Sequence, residues 1–137
     1  MPTLKDIMTA NPVTCTSDAT IQDVARLMDE RDIGDVIIMD GEAISGIVTD
    51  RDIVIRGLAK GMDGSTSVAE VCTGDVITLS PQDDVTKAAE VMAKQAIRRL
   101  PVVESGKPVG IVSLGDLAMD RDPDSALADI SAAPADE

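Results

Sequence analysis

Gly46-Ile47-Val48-Thr49-Asp50-Arg51-Asp52 is one of two related stretches in this chain, and the other is Gly110-Ile111-Val112-Ser113-Leu114-Gly115-Asp116. Each stretch has a glycine, two aliphatic residues, a hydroxyl residue and, three positions later, an aspartate. The aliphatic residues favour the end of a strand, and the hydroxyl residue is typical of the cap that starts a helix. The chain therefore contains two strand-to-helix junctions of the same kind.

The two stretches belong to an internal repeat. A shift of 64 positions aligns the chain with itself without a gap, from Asp6 onto Glu70 to Ile53 onto Leu117. Nine pairs are identical: Thr9/Thr73, Thr14/Thr78, Ala25/Ala89, Met28/Met92, Ile33/Ile97, Gly46/Gly110, Ile47/Ile111, Val48/Val112 and Asp52/Asp116. The unbroken register predicts two copies of one supersecondary unit.

Each copy predicts the order strand, helix, strand, strand, helix. Short opening strands are expected at 13–14 and 76–78, followed by helices whose apolar residues recur at helical spacing. These stripes are Ile21, Val24, Ala25 and Met28 in the first copy, and Val85, Ala88, Ala89 and Met92 in the second. We expect the first helix to follow 16–18, and the second to have Ser80 as its N-cap and Pro81 at its first position.

A β-hairpin and a second helix complete each copy. The hairpin strands are predicted at 36–39 with 44–48, and at 100–103 with 109–112. Polar turns at 40–42 and 104–107 separate them. The second helices are expected to begin near Asp50 and Leu114.

With these elements in place, the sequence resembles the cystathionine-beta-synthase (CBS) domain family. The motif occurs twice, the strand Leu100-Pro101-Val102-Val103 precedes its second copy, and the resemblance covers nearly the whole chain. It extends to the small stand-alone bacterial pairs such as the actinobacterial hypoxic-response type. The resemblance implies an α/β (α+β) fold in which two β-α-β-β-α units pack as one pseudo-two-fold module.

The domain organisation follows from the repeat. We expect CBS domain 1 at 1–60, a connection at 61–67, CBS domain 2 at 68–120 and an acidic, partly disordered tail at 121–137. One helical turn is expected in the tail, near 126–130.

The resemblance also implies a function. Many CBS pairs bind AMP, ADP, ATP or S-adenosylmethionine in the clefts between their two units and commonly form homodimers. A non-catalytic regulatory module with an adenine nucleotide as its regulatory ligand, and with no required cofactor, is therefore the first hypothesis. The alternative is a ligand-free structural dimer that acts through contacts with an unidentified protein target.

The motif residues suit a phosphorylated nucleoside for a physical reason. If Thr49 and Ser113 start helices, free N–H groups and the positive helix end attract an anion. Asp52 and Asp116 lie one turn later, where they can accept hydrogen bonds from ribose hydroxyls. The same Thr-x-x-Asp spacing is also that of a helix cap with an acid in the first turn, so both interpretations stay open.

Charged residues beside the motif differ between the copies. The resemblance implies that Arg98 and Arg99 reach towards phosphates, whereas the first copy has Gly34 and Asp35 there. Arg51 offsets the acid in part, so we expect two unequal sites. The alternative is that these arginines form an ordinary solvated edge, with Arg51 paired to a neighbouring aspartate.

Adenine contacts are implied by the resemblance alone. Aliphatic walls and backbone groups are expected around Thr14 and Thr78, and at 33–36 and 97–101, which includes Pro101. The same residues would be core or edge strand in any folded form of this chain.

Composition narrows the class of function. The chain has 137 residues, 44% of them hydrophobic and none aromatic, so aliphatic side chains and seven methionines must fill its core. The net charge of −13 repels nucleic acid and anionic lipid, so neither partner is expected. The N-terminus lacks the apolar stretch of a signal peptide, and we expect a cytoplasmic protein.

Catalysis and metal binding are the weakest hypotheses. The chain has no His or Tyr, and no nucleophile elbow, phosphate loop or dinucleotide fingerprint. Two cysteines without histidine are too few soft ligands for zinc, so no metal site is expected. Cys15 and Cys72 are expected to be small buried apolar thiols; a redox switch is the alternative and requires disulfide range.

Overall fold

The computed structural model describes residues 2–121, with the side chain of Arg121 left aside. Apart from Arg121, the tail predicted at 121–137, including its helical turn at 126–130, lies outside these residues. The described residues form two compact units. We call residues 13–76 the motif-1 unit, and residues 2–12 together with 77–121 the motif-2 unit.

Five α-helices and six strands make up the described residues. The helices are α1 (Leu4–Ile7), α2 (Ile21–Arg31), α3 (Asp50–Asp52), α4 (Val85–Gln95) and α5 (Leu114–Arg121). The strands are β1 (Thr9–Ala10), β2 (Thr14–Thr16), β3 (Asp35–Asp40), β4 (Ala43–Thr49), β5 (Arg99–Glu104) and β6 (Lys107–Ser113). Helix α3 continues as a π-helical turn (Ile53–Gly57) and a 3-10 turn (Leu58–Lys60), and another 3-10 turn spans Val68–Glu70.

The motif-1 unit is a three-stranded sheet covered by a helix. Its order is β2-β3-β4, with β2 parallel to β3 and β3 antiparallel to β4. Ile21, Val24 and Met28 of the predicted stripe of α2 are buried in its core, as helical spacing requires, whereas Ala25, also predicted in the stripe, is exposed. Its buried core consists of Ile21, Val24, Met28, Val36, Ile38, Val48, Ile53, Val68 and Val71.

The motif-2 unit is also a three-stranded sheet covered by a helix, but its third strand is β1, which lies in the first repeat. Its sheet has the order β1-β6-β5, and all its neighbours are antiparallel. Its core consists of Leu4, Leu79, Val85, Ala88, Met92, Leu100, Val102, Val112 and Leu117. Both predicted hairpins and both second helices are confirmed.

Two local predictions in the second copy were wrong. No strand forms at 76–78, and the neighbouring Leu79 makes only a parallel bridge to Val102. Helix α2 does follow 16–18, as predicted, and has Thr20 as its N-cap. Helix α4 has Asp84 as its N-cap, since its carboxylate accepts the Thr86 N–H at 2.7 Å.

Ser80 and Pro81 form a turn ahead of α4 instead of its first residues. The Ser80 N–H donates to the Asp83 carboxylate at 2.7 Å. Pro81 is buried, and its carbonyl accepts the Lys5 N–H at 3.0 Å. Ser80 and Asp84 are both good N-cap residues, and the contact with α1 selects the later one.

The units exchange the segments that begin the two repeats. Thr9, in the first repeat, pairs with Ile111 of β6 in the motif-2 unit. Its equivalent Thr73, in the second repeat, pairs with Ile47 of β4 in the motif-1 unit. The packed units therefore have boundaries other than the repeat boundaries at 1–60 and 68–120.

The exchanged segments lie directly over the motif glycines. A Cβ on Gly46 would stand 2.7 Å from the Thr73 carbonyl oxygen and 2.9 Å from the Cys72 sulfur. A Cβ on Gly110 would stand 3.0 Å from the Thr9 carbonyl oxygen. Glycine is therefore needed in both copies for close backbone approach.

We expect Gly46→Ala to destabilise the protein by about 1–3 kcal/mol, because the new methyl group displaces a paired backbone segment. Urea unfolding followed by far-ultraviolet circular dichroism measures the loss. Gly74→Ala is the matched control, since nothing lies within 4 Å of a Cβ there. Equal stabilities of the two variants would contradict the steric argument.

The exchange predicts crossed effects of two core substitutions. Leu4→Ala should expose β5 and β6 to hydrogen exchange more than β3 and β4, because Leu4 is fully buried in the motif-2 core. Val68→Ala, at the equivalent position, should do the reverse. Leu4→Ala should lower the free energy of unfolding by about 2–5 kcal/mol. Hydrogen exchange measured by mass spectrometry distinguishes the two patterns. Faster hydrogen exchange in the same repeat as the substitution would contradict the exchange of segments between the repeats.

Candidate functional site

The first motif forms a strand-to-helix junction in the motif-1 unit. Thr49 ends β4 and is the N-cap of α3. The Asp52 N–H donates to Thr49 Oγ1 at 3.1 Å, and the Thr49 N–H donates to Asp52 Oδ2 at 2.9 Å. Two backbone donors that the helix leaves open are thus satisfied reciprocally, which is a capping box.

The second motif repeats this geometry in the motif-2 unit. The Asp116 N–H donates to Ser113 Oγ at 3.1 Å, and the Ser113 N–H donates to Asp116 Oδ2 at 2.9 Å. All four motif side chains are half-buried. The junctions therefore agree in both capping hydrogen bonds, although their sequences differ at three of the last four positions.

The capping box uses only part of each aspartate. Oδ2 accepts the backbone N–H, and residues 2–121 supply no hydrogen-bond donor to Oδ1 of Asp52 or of Asp116. The hydrogen bond to Oδ2 fixes each half-buried carboxylate, and its Oδ1 remains as an acceptor. The helix-cap interpretation is thus correct for both motifs, and it leaves one oxygen of each for a hydroxyl donor such as ribose.

The predicted charged neighbours lie at these junctions. Arg99 pairs with Ser113 across the β5–β6 ladder, and the Arg98 carbonyl accepts the Leu114 N–H at 2.7 Å. The motif-2 junction therefore holds two arginines beside its serine and Asp116.

The same positions carry no cation in the motif-1 unit. Asp35 pairs with Thr49, and the Gly34 carbonyl accepts the Asp50 N–H at 3.0 Å. Arg51 is exposed, and its guanidinium forms no ion pair with Asp50 or Asp52. The two junctions thus differ in charge while sharing a backbone.

The predicted adenine-side residues are only partly brought together. Thr14 is exposed on β2 opposite Ile37, two residues along β3 from Asp35. Thr78 is exposed just before Leu79, whose N–H donates to the Pro101 carbonyl at 3.2 Å. Pro101 itself is buried, so within its unit it acts as packing.

Arg56 contributes to the first junction, and sequence reasoning missed it. Its guanidinium donates to the Val71 carbonyl at 3.2 Å and to Thr73 Oγ1 at 3.4 Å. Arg56 therefore ties the helical turn that follows Asp52 to the exchanged segment. Identity of Thr9 and Thr73 was the available signal, but it does not indicate which strand each one pairs with.

Both cysteines are half-buried free thiols in the motif-1 unit. Burial raises the pKa of the Cys15 thiol, and the nearby Asp23 carboxylate raises it further. Burial also raises the pKa of the Cys72 thiol. Both thiols pack against the same buried core, and the Cys72 thiol also contributes to the raised pKa of Cys15, so the expected small apolar thiols fit the motif-1 unit.

Slow alkylation at neutral pH follows from these raised pKa values. Only the thiolate reacts, so labelling of the native protein by iodoacetamide should be several-fold slower than labelling of the urea-unfolded chain. The rate should rise as pH passes the ordinary thiol range. Mass spectrometry counts the labelled sites, and rapid native labelling at pH 7 would contradict the burial argument.

The family comparison matches both repeats. The CBS domain family matches residues 4–58 and 68–121, so the chain belongs to the CBS domain family and carries two CBS domains in tandem. Tandem pairs of this kind are regulatory modules. The predicted family and fold class are confirmed.

Relatives of similar length support this assignment. The CBS domain-containing protein YhcV of Bacillus subtilis is 39% identical over 88% of this chain and 86% of its own length. Hypoxic response protein 1 of Mycobacterium tuberculosis is 38% identical over 86% of this chain and 84% of its own. The similarity to the small stand-alone pairs is therefore confirmed.

A solved structure of similar fold contains ligands. The CBS domain pair of protein MJ0100, in complex with 5′-methylthioadenosine and S-adenosyl-L-methionine, superposes with a TM-score of 0.82. It is 28% identical and covers 91% of this chain and 99% of its own. No helix within residues 2–121 has the length and apolar character that a bilayer crossing requires.

Proposed function

We propose that this CBS pair is a non-catalytic regulatory module that binds an adenosine-containing ligand, namely AMP, ADP, ATP or S-adenosylmethionine. The observation that carries the proposal is the free Oδ1 of Asp52 and of Asp116, fixed by the capping box and half-buried. A fixed acceptor with no protein donor suits the paired hydroxyls of a ribose. Adenosyl ligands in the related MJ0100 pair support this chemistry.

The motif-2 junction is the stronger candidate for a phosphorylated ligand. Arg98 and Arg99 add positive charge beside Ser113 and Asp116. At the motif-1 junction, the matched positions are Gly34 and Asp35, and an aspartate opposes a phosphate. Unequal sites therefore remain the expectation, with the second one preferring anionic ligands.

Ligand binding would regulate the module by changing the populations of two of its conformational states. A ligand shifts such an equilibrium only by the difference between its affinities for the two states. We propose that the chain is a homodimer, because five large hydrophobic side chains within residues 2–121 are 40–57% exposed. A partner protein would then recognise the conformational state of the dimer.

One observation favours the alternative of a ligand-free structural dimer. Thr20 and Asp23 at the start of α2 make the same reciprocal capping bonds, each 3.1 Å long, without belonging to the motif. A capping box in this chain therefore needs no ligand to explain it. Under this alternative, the motif aspartates stabilise helices and the dimer acts through a protein target.

Asp116→Asn separates the two functions. The asparagine Oδ1 can still accept the Ser113 N–H, while its amide nitrogen cannot accept from ribose. We expect ligand affinity to fall by about 5- to 150-fold, the equivalent of 1–3 kcal/mol for a lost buried acceptor. Isothermal titration with AMP, ADP, ATP and S-adenosylmethionine measures it, after absorbance at 260 nm has excluded co-purified nucleotide.

Asp23→Asn is the matched control, because it changes a capping aspartate outside the motif. It should leave ligand affinity unchanged. Loss of affinity in Asp52→Asn but not in Asp116→Asn would move the site to the first junction. No binding of any of the four ligands by the unaltered protein would refute the sensor and favour the structural dimer.

A further inference from the structure

The helical turn that follows the first motif has two hydrogen-bond registers within reach. Helix α3 ends at Asp52, and the chain continues as the π-helical turn Ile53–Gly57. The Leu58 N–H donates both to the Ile53 carbonyl, as in a π-helix, and to the Val54 carbonyl, as in an α-helix. The turn therefore shares one donor between two registers.

The π-helical turn contacts the exchanged segment that contains Val71 and Thr73. The Arg56 guanidinium donates to the Val71 carbonyl at 3.2 Å and to Thr73 Oγ1 at 3.4 Å. The next residue, Gly57, is buried, and a Cβ there would stand 3.4 Å from Val71 Cγ1. Two successive residues of the turn thus hold one segment, Arg56 by hydrogen bonds and Gly57 by close packing.

The segment held by Arg56 also pairs with the strand that leads into the motif. The Thr73 N–H donates to the Ile47 carbonyl at 2.9 Å, and the Ile47 N–H donates to the Thr73 carbonyl at 3.1 Å. Ile47 lies in β4, which ends at Thr49. Arg56 therefore links the helical turn after the first junction to the strand before it, with Thr73 as the intermediate.

The described residues of the motif-2 unit do not repeat this arrangement. Its second helix is α-helical over Leu114–Arg121. The residue at the position of Arg56 is Asp120, which is exposed. An ionised carboxylate has no hydrogen to donate to a carbonyl, so Asp120 cannot make the equivalent bonds. The link is thus specific to the first junction.

We propose that Arg56 is a positioning residue that couples the first junction to the exchanged segment, with the π-helical turn as the element that has two states. In the first state, the turn places Arg56 on the Val71 carbonyl and on Thr73. In the second state, the Leu58 N–H donates to the Val54 carbonyl alone. This change of register turns the residues of the turn about the helix axis and withdraws the guanidinium.

The inference rests on the proposed function and adds regulation of the first junction. Asp52 carries the free Oδ1 and is also the N-cap of the π-helical turn. A ligand that fixes Asp52 binds more tightly to the first state and shifts the population towards it. By reciprocity, loss of Arg56 weakens ligand binding at the first junction by the factor by which the ligand favours that state.

Arg56→Met tests the link without any ligand, because methionine keeps an unbranched apolar side chain and has no donor. Hydrogen exchange of the amides of 68–76, measured by mass spectrometry, should become about 5-fold faster or more. Exchange at 2–12, the equivalent segment of the motif-2 unit, should not change. Arg26→Met is the matched control, since Arg26 is an exposed arginine on α2 of the same unit.

Arg56→Lys separates the donor from the length of the side chain. Lysine keeps a charged donor, so it should restore part of the protection at 68–76 that methionine loses. Equal exchange at 68–76 in Arg56→Met and in the unaltered protein would overturn the proposal. Equally fast exchange in Arg26→Met would also overturn it, because the effect would then come from net charge.

The ligand arm uses the Asp116→Asn background, in which only the first junction keeps its aspartate. AMP, ADP, ATP and S-adenosylmethionine are added one at a time, and a ligand that binds should slow exchange at 68–76. The additional substitution Arg56→Met should remove this effect and weaken the affinity. Binding with no change at 68–76 would overturn the coupling and leave the proposed function intact.

Failure of the proposed function gives a different result. If none of the four ligands binds the unaltered protein, the sensor and its control through Arg56 are both wrong. Exchange in ligand-free Arg56→Met still shows in that case whether Arg56 holds the exchanged segment.

Discussion

The backbone pairing over the two motif glycines is the constraint on which the rest of the structure depends. Thr73 and Ile47 exchange two hydrogen bonds of 3.1 and 2.9 Å, and this contact is possible only because Gly46 has no side chain. Thr9 pairs with Ile111 in the same way beside Gly110. Because each paired segment comes from the opposite repeat, neither repeat can complete its own packed unit.

The exchange also places the start of each repeat in the other repeat's core. Leu4 and Val68 occupy equivalent positions, and both are fully buried. Leu4 packs with the core of the motif-2 unit, and Val68 packs with that of the motif-1 unit. Folding of each unit therefore requires residues far away in sequence, and loop-closure entropy is lost before those contacts form.

Sequence predicted the parts of the fold that depend on local patterns. Helical stripes, both hairpins and both strand-to-helix junctions follow from periodicity and capping chemistry within a few residues. The start of α4 was misplaced, because Ser80 and Asp84 are both good caps and a contact with α1 decides between them. The exchange of segments and the role of Arg56 were missed. Both depend on which strands pair in the tertiary structure, and the identity between the repeats does not determine that pairing.

Two of the nine identical pairs are positions at which the backbone requires the residue. Gly46 and Gly110 admit the paired segment, and Asp52 and Asp116 complete the capping boxes. Side chains around this shared frame differ in charge and size, with arginines beside one junction and an aspartate beside the other. Identical backbones with different surroundings give two junctions of unlike charge, so divergence of the repeat, more than its symmetry, distinguishes the two motif sites.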